Sequence, residues 1–133
     1  MKAKVFLLML LAASTLSAQN KLTIVVEGIE ETTGHVLVGL YDKAGFMKKA
    51  VNGQMVKAES DTITVVLENI PAGEYAVSLF HDENDNGKLD TGSFGIPVEK
   101  YGFSNNAKGK YGPPAFEDCK FTVKEDLEIT IRI

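Results

Sequence analysis

Ile63, Val65 and Leu67 alternate with Thr62, Thr64 and Val66, and the same period of two recurs along the chain. Leu22, Ile24 and Val26 share one face of a β-branched run. Val36, Val38 and Leu40 alternate with His35, Leu37, Gly39 and Tyr41, while Tyr75, Val77 and Leu79 mark another run. Ile129, Ile131 and Ile133 alternate with Glu128, Thr130 and Arg132. A period of two sends successive side chains to opposite faces of a strand, so each run needs a second layer over its apolar face. Turn signals separate the runs, at Gly28 to Gly34 and at Asn69-Ile70-Pro71-Ala72-Gly73-Glu74. Met55-Val56 suits a short edge strand, and Phe116 to Val123 and Leu127 to Ile133 suit two closing strands. Beyond residue 18 no stretch carries a helical period. The pattern predicts an all-β fold of six to seven strands, a single antiparallel β-sandwich of immunoglobulin- or prealbumin-like type. Phe46 and Met47 are placed to plug one end of its core.

Residues 1–18 read as a secretory signal peptide. Lys2 and Lys4 form a basic start, Val5 to Ala13 an apolar stretch, and Ser14-Thr15-Leu16-Ser17-Ala18 a small-residue end suited to cleavage. The apolar stretch is too short to span a bilayer, and no cysteine follows it to take a lipid. The expectation is a secreted or periplasmic protein whose domain covers residues 19–133, with no membrane insertion after cleavage. Losing Lys2 and Lys4 takes the formal charge from −4 to −6, which argues against nucleic acid as a partner. Cys119 is the only cysteine, so no internal disulfide forms, and one Cys with two His is too few for a structural zinc site. His35 is expected at a strand end on the surface, with no partner cluster beside it.

One stretch implies specific chemistry: His81-Asp82-Glu83-Asn84-Asp85-Asn86-Gly87-Lys88-Leu89-Asp90. Counted from Asp82, it follows the opening of a calcium loop, D-x-[DN]-x-[DN]-G. Ca²⁺ takes about six to eight hard oxygens at about 2.3–2.6 Å, and alternate side chains of a curled loop can supply them. Gly87 stands where the loop must turn sharply, and Lys88 where a backbone carbonyl becomes a ligand. Leu89 would pin the loop to the core. The match ends at Ser93, where an EF-hand has its bidentate Glu, and the flanks are not helical. The candidate is therefore a calcium loop on a strand end. Asp82, Asn84, Asn86 and Asp90 would bind through side chains and Lys88 through its carbonyl, with Glu99 or Glu83 adding a carboxylate. Without the bidentate Glu the affinity should be weak, about 10⁻⁴ M. The bland alternative is a polar turn, since Asp, Asn and Gly are the common turn residues.

Between Asp82 and Pro114 no period persists, yet Leu89, Phe94, Ile96, Tyr101, Phe103 and Tyr111 are too many large apolar groups for a disordered linker. The long loop is expected to be ordered, with Phe94, Ile96 and Phe103 substantially buried.

Four segments carry a family resemblance. They are Asn69-Ile70-Pro71-Ala72-Gly73-Glu74-Tyr75-Ala76-Val77, then His81 to Asp90, then Gly95-Ile96-Pro97-Val98-Glu99-Lys100-Tyr101-Gly102-Phe103-Ser104-Asn105-Asn106, and Pro113-Pro114-Ala115-Phe116. Together they resemble the secreted bacterial family called domain of unknown function 2141. The resemblance implies an exported bacterial protein and supplies no catalytic residue.

Three function classes follow. The first is a calcium-stabilised binding or structural module of the cell envelope, monomeric, whose partner is an envelope protein or a glycan. The second is a carbohydrate- or peptide-binding domain with Tyr101, Phe103 and Tyr111 as an aromatic platform. Against it, the same rings can pack the long loop onto the sandwich. The third is a glycan hydrolase drawing a carboxylate pair from Asp82, Asp85, Asp90 and Glu99. Ion coordination explains those spacings better, and Gly92-Ser93-Phe94-Gly95 is not a nucleophile elbow. The chain therefore reads as a non-enzyme.

Overall fold

A computed structural model describes residues 19–133; the expected signal peptide, residues 1–18, lies outside the described residues. Eight strands appear among the described residues: β1 Gln19–Glu27, β2 His35–Tyr41, β3 Asn52–Lys57, β4 Thr62–Pro71, β5 Gly73–Asp82, β6 Tyr101–Phe103, β7 Phe121–Val123 and β8 Leu127–Arg132. A short helix, α1, spans Phe116–Cys119. The strands form two open sheets. One runs β4-β1-β8, and the other runs β3-β2-β5, with β6 and β7 both pairing the far side of β5.

The two sheets bury one core between them. Leu22, Ile24, Val26, Val36, Leu40, Val77 and Ile131 lose all contact with solvent, and Val38, Ile63, Val65, Leu67 and Leu79 are also buried. Ile129 is half-buried against the same cluster. Burying one such side chain contributes about 1.5–3 kcal/mol, so these rows dominate the fold's stability.

Three expectations about strands change. The described residues hold eight strands where six to seven were expected, because Tyr101–Phe103, inside the span without a period, pairs β5. β1 and β8 pair in parallel, with Leu22 opposite Leu127 and Val26 opposite Ile131, so the sandwich is not wholly antiparallel. Alternation is the same in parallel and antiparallel strands and cannot distinguish them. The expected strand from Phe116 to Val123 begins as α1. Phe116 and Cys119, three residues apart, lie on one side of a single helical turn and are both buried, while Glu117 and Asp118 face water.

That turn covers a second, smaller core on the outer face of β5, built from Ala76, Phe103, Phe116 and Cys119. Phe46 packs against it, edge-on to Tyr41 and Phe116, whereas Met47 is exposed and plugs nothing. Buried Ser104 ties the layers together: its Oγ accepts the Val77 N–H at 2.9 Å and donates to the Cys119 carbonyl at 2.6 Å. Burial, and then the charge of Asp118, pushes the Cys119 thiol up to about 11.

The long loop is ordered at its root and bare at its tip. Phe103 is buried as expected, but Phe94 is fully exposed and Ile96 is 63% exposed. The reason is a small hairpin that projects from the domain. Val98 N–H donates to Asp90 carbonyl at 2.9 Å, Gly92 N–H to Ile96 carbonyl at 2.8 Å, and Thr91 bridges Pro97. Phe94 and Gly95 turn its tip with φ of 60° and 70°. Only the root of this finger meets a sheet, so its apolar side chains have no layer to pack on.

Candidate functional site

β5 ends at Asp82, and the acidic loop begins there. The alternation of Tyr75, Val77 and Leu79 continues to His81, which is therefore an inward position and is 1% exposed. Its ring Nε2–H donates to the Thr33 carbonyl at 2.6 Å, and its backbone N–H donates to the Lys100 carbonyl at 2.8 Å. Gly34, at φ 65°, lies against the Asp82 carbonyl so closely that a Cβ there would collide with it. The turn before β2 is thereby pressed against the base of the loop.

Asp82 is 1% exposed and sits beneath the loop. Its Oδ1 accepts the Asn86 N–H at 3.2 Å and its Oδ2 the Gly87 N–H at 2.8 Å. Asn84 Oδ1 accepts the Asn86 N–H at 3.3 Å, and Asn86 Oδ1 accepts the Lys88 N–H at 3.1 Å. These bonds curl the chain so that alternate side chains point inward. Asp85 and Gly87 take φ of 55° and 76° within the curl, and Gly87 is the residue suited to that conformation.

Three of the expected ligands meet. The amide nitrogens of Asn84 and Asn86 each donate to the Asp90 carboxylate, one to each oxygen, at 2.6 Å. These bonds, first Asn86 and then Asn84, hold the Asp90 carboxyl below its ordinary value. Asp82 lies under the same loop with its oxygens engaged by backbone. Lys88 is exposed, and its charge also lowers the Asp90 carboxyl.

Glu99 lies against the loop, and its carboxyl is among the groups that lower Asp90. It is 6% exposed, and its Oε2 accepts the Glu83 N–H at 2.8 Å while its Oε1 accepts the Asp90 N–H at 2.9 Å. It clasps the two ends of the loop through backbone. Glu83 is exposed and points elsewhere, its Oε1 standing 3.8 Å from the His81 ring. Among the described residues, no three Asp, Glu, His or Cys side chains gather as a metal-holding group. The convergence is of two amides on one carboxylate.

His35 does have a partner, contrary to expectation. Its Nδ1 stands 2.7 Å from Asp85 Oδ1, because β2 pairs β5 with His35 opposite Asp82. Period-two alternation across His81 was the signal that could have placed it in the core; the His35–Asp85 pair depends on strand register and left no local signal.

The expected aromatic platform is divided. Phe103 is buried in the second core, Tyr101 is 48% exposed and edge-on to it, and Tyr111 is almost fully exposed under the Lys110 ammonium. The exposed apolar row is instead Phe94, Ile96, Val98 and Tyr101, along the finger and its root. Among the described residues no helix is long and apolar enough to cross a membrane.

No curated protein and no solved structure matches the chain. A family model does, over residues 24–131, from the second residue of the β1 core row to the last isoleucine buried in β8. Its match includes both sheets, the acidic loop and the finger, and the chain therefore belongs to the family described as uncharacterised proteins conserved in bacteria, DUF2141.

Proposed function

We propose that this protein is a calcium-stabilised binding or structural module of the bacterial cell envelope, acting by contact and not by catalysis. The observation that carries the reading is the convergence of Asn84 and Asn86 on Asp90 at 2.6 Å. Two amide N–H groups there do for the carboxylate what a cation would do. A half-turn of each amide gives up its Oδ1 bond to the Asn86 or Lys88 N–H, exchanges nitrogen for oxygen, and presents hard oxygens from three residues to one point. Asp82 beneath the loop and the Lys88 carbonyl complete the candidate set. Asp82, Glu83, Asp85, Asp90 and Glu99 stand against only Lys88 and Lys100 in this region, so a divalent cation relieves the excess negative charge. With Glu99 engaged by backbone, the ligand set is poor in carboxylates, which supports weak affinity. The amino-terminal pattern supports export. The Tyr75 O–H bond to the Pro71 carbonyl at 2.8 Å supports an immunoglobulin-like sandwich, since such a corner is a mark of that class.

The test is a melting curve of the protein freed of its leader, in EDTA, in Ca²⁺ and in Mg²⁺. With a dissociation constant of about 0.1 mM, about 2 mM Ca²⁺ adds about 1.8 kcal/mol of stability. For a domain of this size that raises Tm by about 5–8 °C. Mg²⁺ should do much less, because it demands a smaller octahedral site and sheds water reluctantly. Identical curves in EDTA and Ca²⁺ reduce the loop to a polar turn.

The exposure of Phe94, Tyr101 and Tyr111 favours a second reading, in which the loop aromatics bind an envelope glycan or peptide. Titration with peptidoglycan fragments and with extended peptides tests it. Binding that survives Phe94→Ser, Tyr101→Ser and Tyr111→Ser together would remove the aromatics from the contact.

A further inference from the structure

β3 is the edge of its sheet, with β2 on one side and no strand on the other. The Ala58 N–H donates to the Gly34 carbonyl at 3.1 Å, and the ladder then sets Val36 opposite Val56 and Val38 opposite Gln54. Antiparallel pairs alternate, so Val56 and Gln54 bond inward to β2, while Gly53, Met55 and Lys57 turn their N–H and C=O outward. Two of these outward groups are occupied within the chain. The Gly53 N–H donates to Asn52 Oδ1 at 2.7 Å, and the Lys57 carbonyl accepts the Glu59 N–H at 3.0 Å. The Gly53 carbonyl, the Lys57 N–H and both groups of Met55 stay open.

The open groups complement themselves. A second β3, turned about a two-fold axis through Met55, exchanges both Met55 bonds with the first, and each Lys57 N–H meets the other copy's Gly53 carbonyl. The occupied Gly53 N–H and Lys57 carbonyl fall opposite each other. Moving the axis by one residue either way sets an occupied group against an open one. The side chains suit the same register. Lys57, a charge that would otherwise blunt the edge, faces Gly53 and meets no side chain there. Met55, 62% exposed, begins a row across the outer face through partly buried Leu37 and Phe80 to Tyr101, and the axis joins two such rows. The flanks carry opposite charge: Lys48 and Lys49 precede β3, and Glu59 and Asp61 follow it. All are exposed, and none forms an ion pair among the described residues. Antiparallel pairing turns the basic flank of one copy toward the acidic flank of the other.

We propose that the protein forms a two-fold dimer through β3, in place of the expected monomer, so that the β3-β2-β5-β6 sheets of two copies become one. The seam is short, a single edge strand from each copy, and its affinity is accordingly weak, with a dissociation constant of about 0.1 mM.

Sedimentation velocity of the protein freed of its leader, from about 10 μM to about 1 mM, should pass from monomer to dimer around that constant. Over the same range, amide hydrogen exchange at Met55 and Lys57 should slow. Met55→Glu sets two carboxylates against each other on the axis; it should raise the dissociation constant about tenfold or more and leave the melting curve of dilute protein unchanged. Oxidation with diamide reads the register. Met55→Cys should link to its own copy across about 5.5 Å between Cα atoms. Gln54→Cys should not, because two Gln54 positions stand about 8 Å apart, and buried Cys119 stays out of reach in both. A monomer at about 1 mM, a dimer that survives Met55→Glu, or equal linking by the two cysteine variants would each overturn the proposal. So would a chain that stays monomeric while an added extended peptide shifts the Met55 and Lys57 amides, since the edge would then belong to another protein's strand.

Discussion

Glu99 holds Asp90 by its backbone: the buried Glu99 Oε1 accepts the Asp90 N–H at 2.9 Å, and the same carboxylate accepts the Glu83 N–H through Oε2. One side chain thus closes the loop from both ends and also fixes the stem of the finger that follows. If the loop takes the proposed cation, a shape already held by its own hydrogen bonds would lose less ordering entropy on binding.

Glu99→Gln leaves one oxygen to accept and puts an NH₂ where the second acceptor stood. One part-buried backbone N–H then lacks its partner, at about 1 kcal/mol. Denaturant unfolding should show the same loss in EDTA and in Ca²⁺, since the clasp acts without the ion. A loss confined to Ca²⁺ would instead make Glu99 a ligand.

Asp82→Ala should remove the calcium-dependent increment and also lower stability in EDTA by about 1–3 kcal/mol, because the Gly87 N–H loses its acceptor and the Asn86 N–H keeps only Asn84 Oδ1. Unfolding in both conditions reads the two effects separately. An increment that persists in this variant would exclude Asp82 from the calcium site.

The Asp90 carboxyl is depressed, so its contribution to stability is present above its ordinary value of 3.8 and is lost as pH falls through the lower folded value. Asn86 is the largest cause. Carboxyl titration by NMR should find Asp90 below 3.8, and Asn86→Ala should move it back up toward that value. An unmoved titration would mean the amide is not what holds the charge.

The core rows and the curl of the acidic loop were legible because both rest on local spacing. Period two placed Ile24, Val36, Ile63, Val77 and Ile131 correctly, and it extended to His81, although polarity made that residue look like part of the loop. What was hidden depends on register or on the third dimension. The parallel β1–β8 pair, the His35–Asp85 contact and the press of Gly34 on Asp82 all join residues that alternation treats as unrelated. Glu99 was found as a partner of the loop, but its role is set by where the chain returns after the finger. Phe94 and Ile96 misled for a physical reason: apolar density predicts burial only where another layer exists to receive it.

Phe94 supplies the sharpest test of that last point. Its φ of 60° is the left-handed conformation, which disfavours a non-glycine residue by about 1–2 kcal/mol, and its ring is fully exposed. Phe94→Gly removes the strain and no packing, while adding flexibility to the unfolded chain at about 0.5–1 kcal/mol. The two nearly cancel, so the melting point should hold or rise slightly. Removal of a packed phenylalanine would instead lose about 3–5 kcal/mol. A fall of that size would mean that the ring is covered in solution. An unchanged melting point with weakened glycan or peptide binding would make Phe94 a contact residue, because it separates the side chain's role in recognition from any role in the fold.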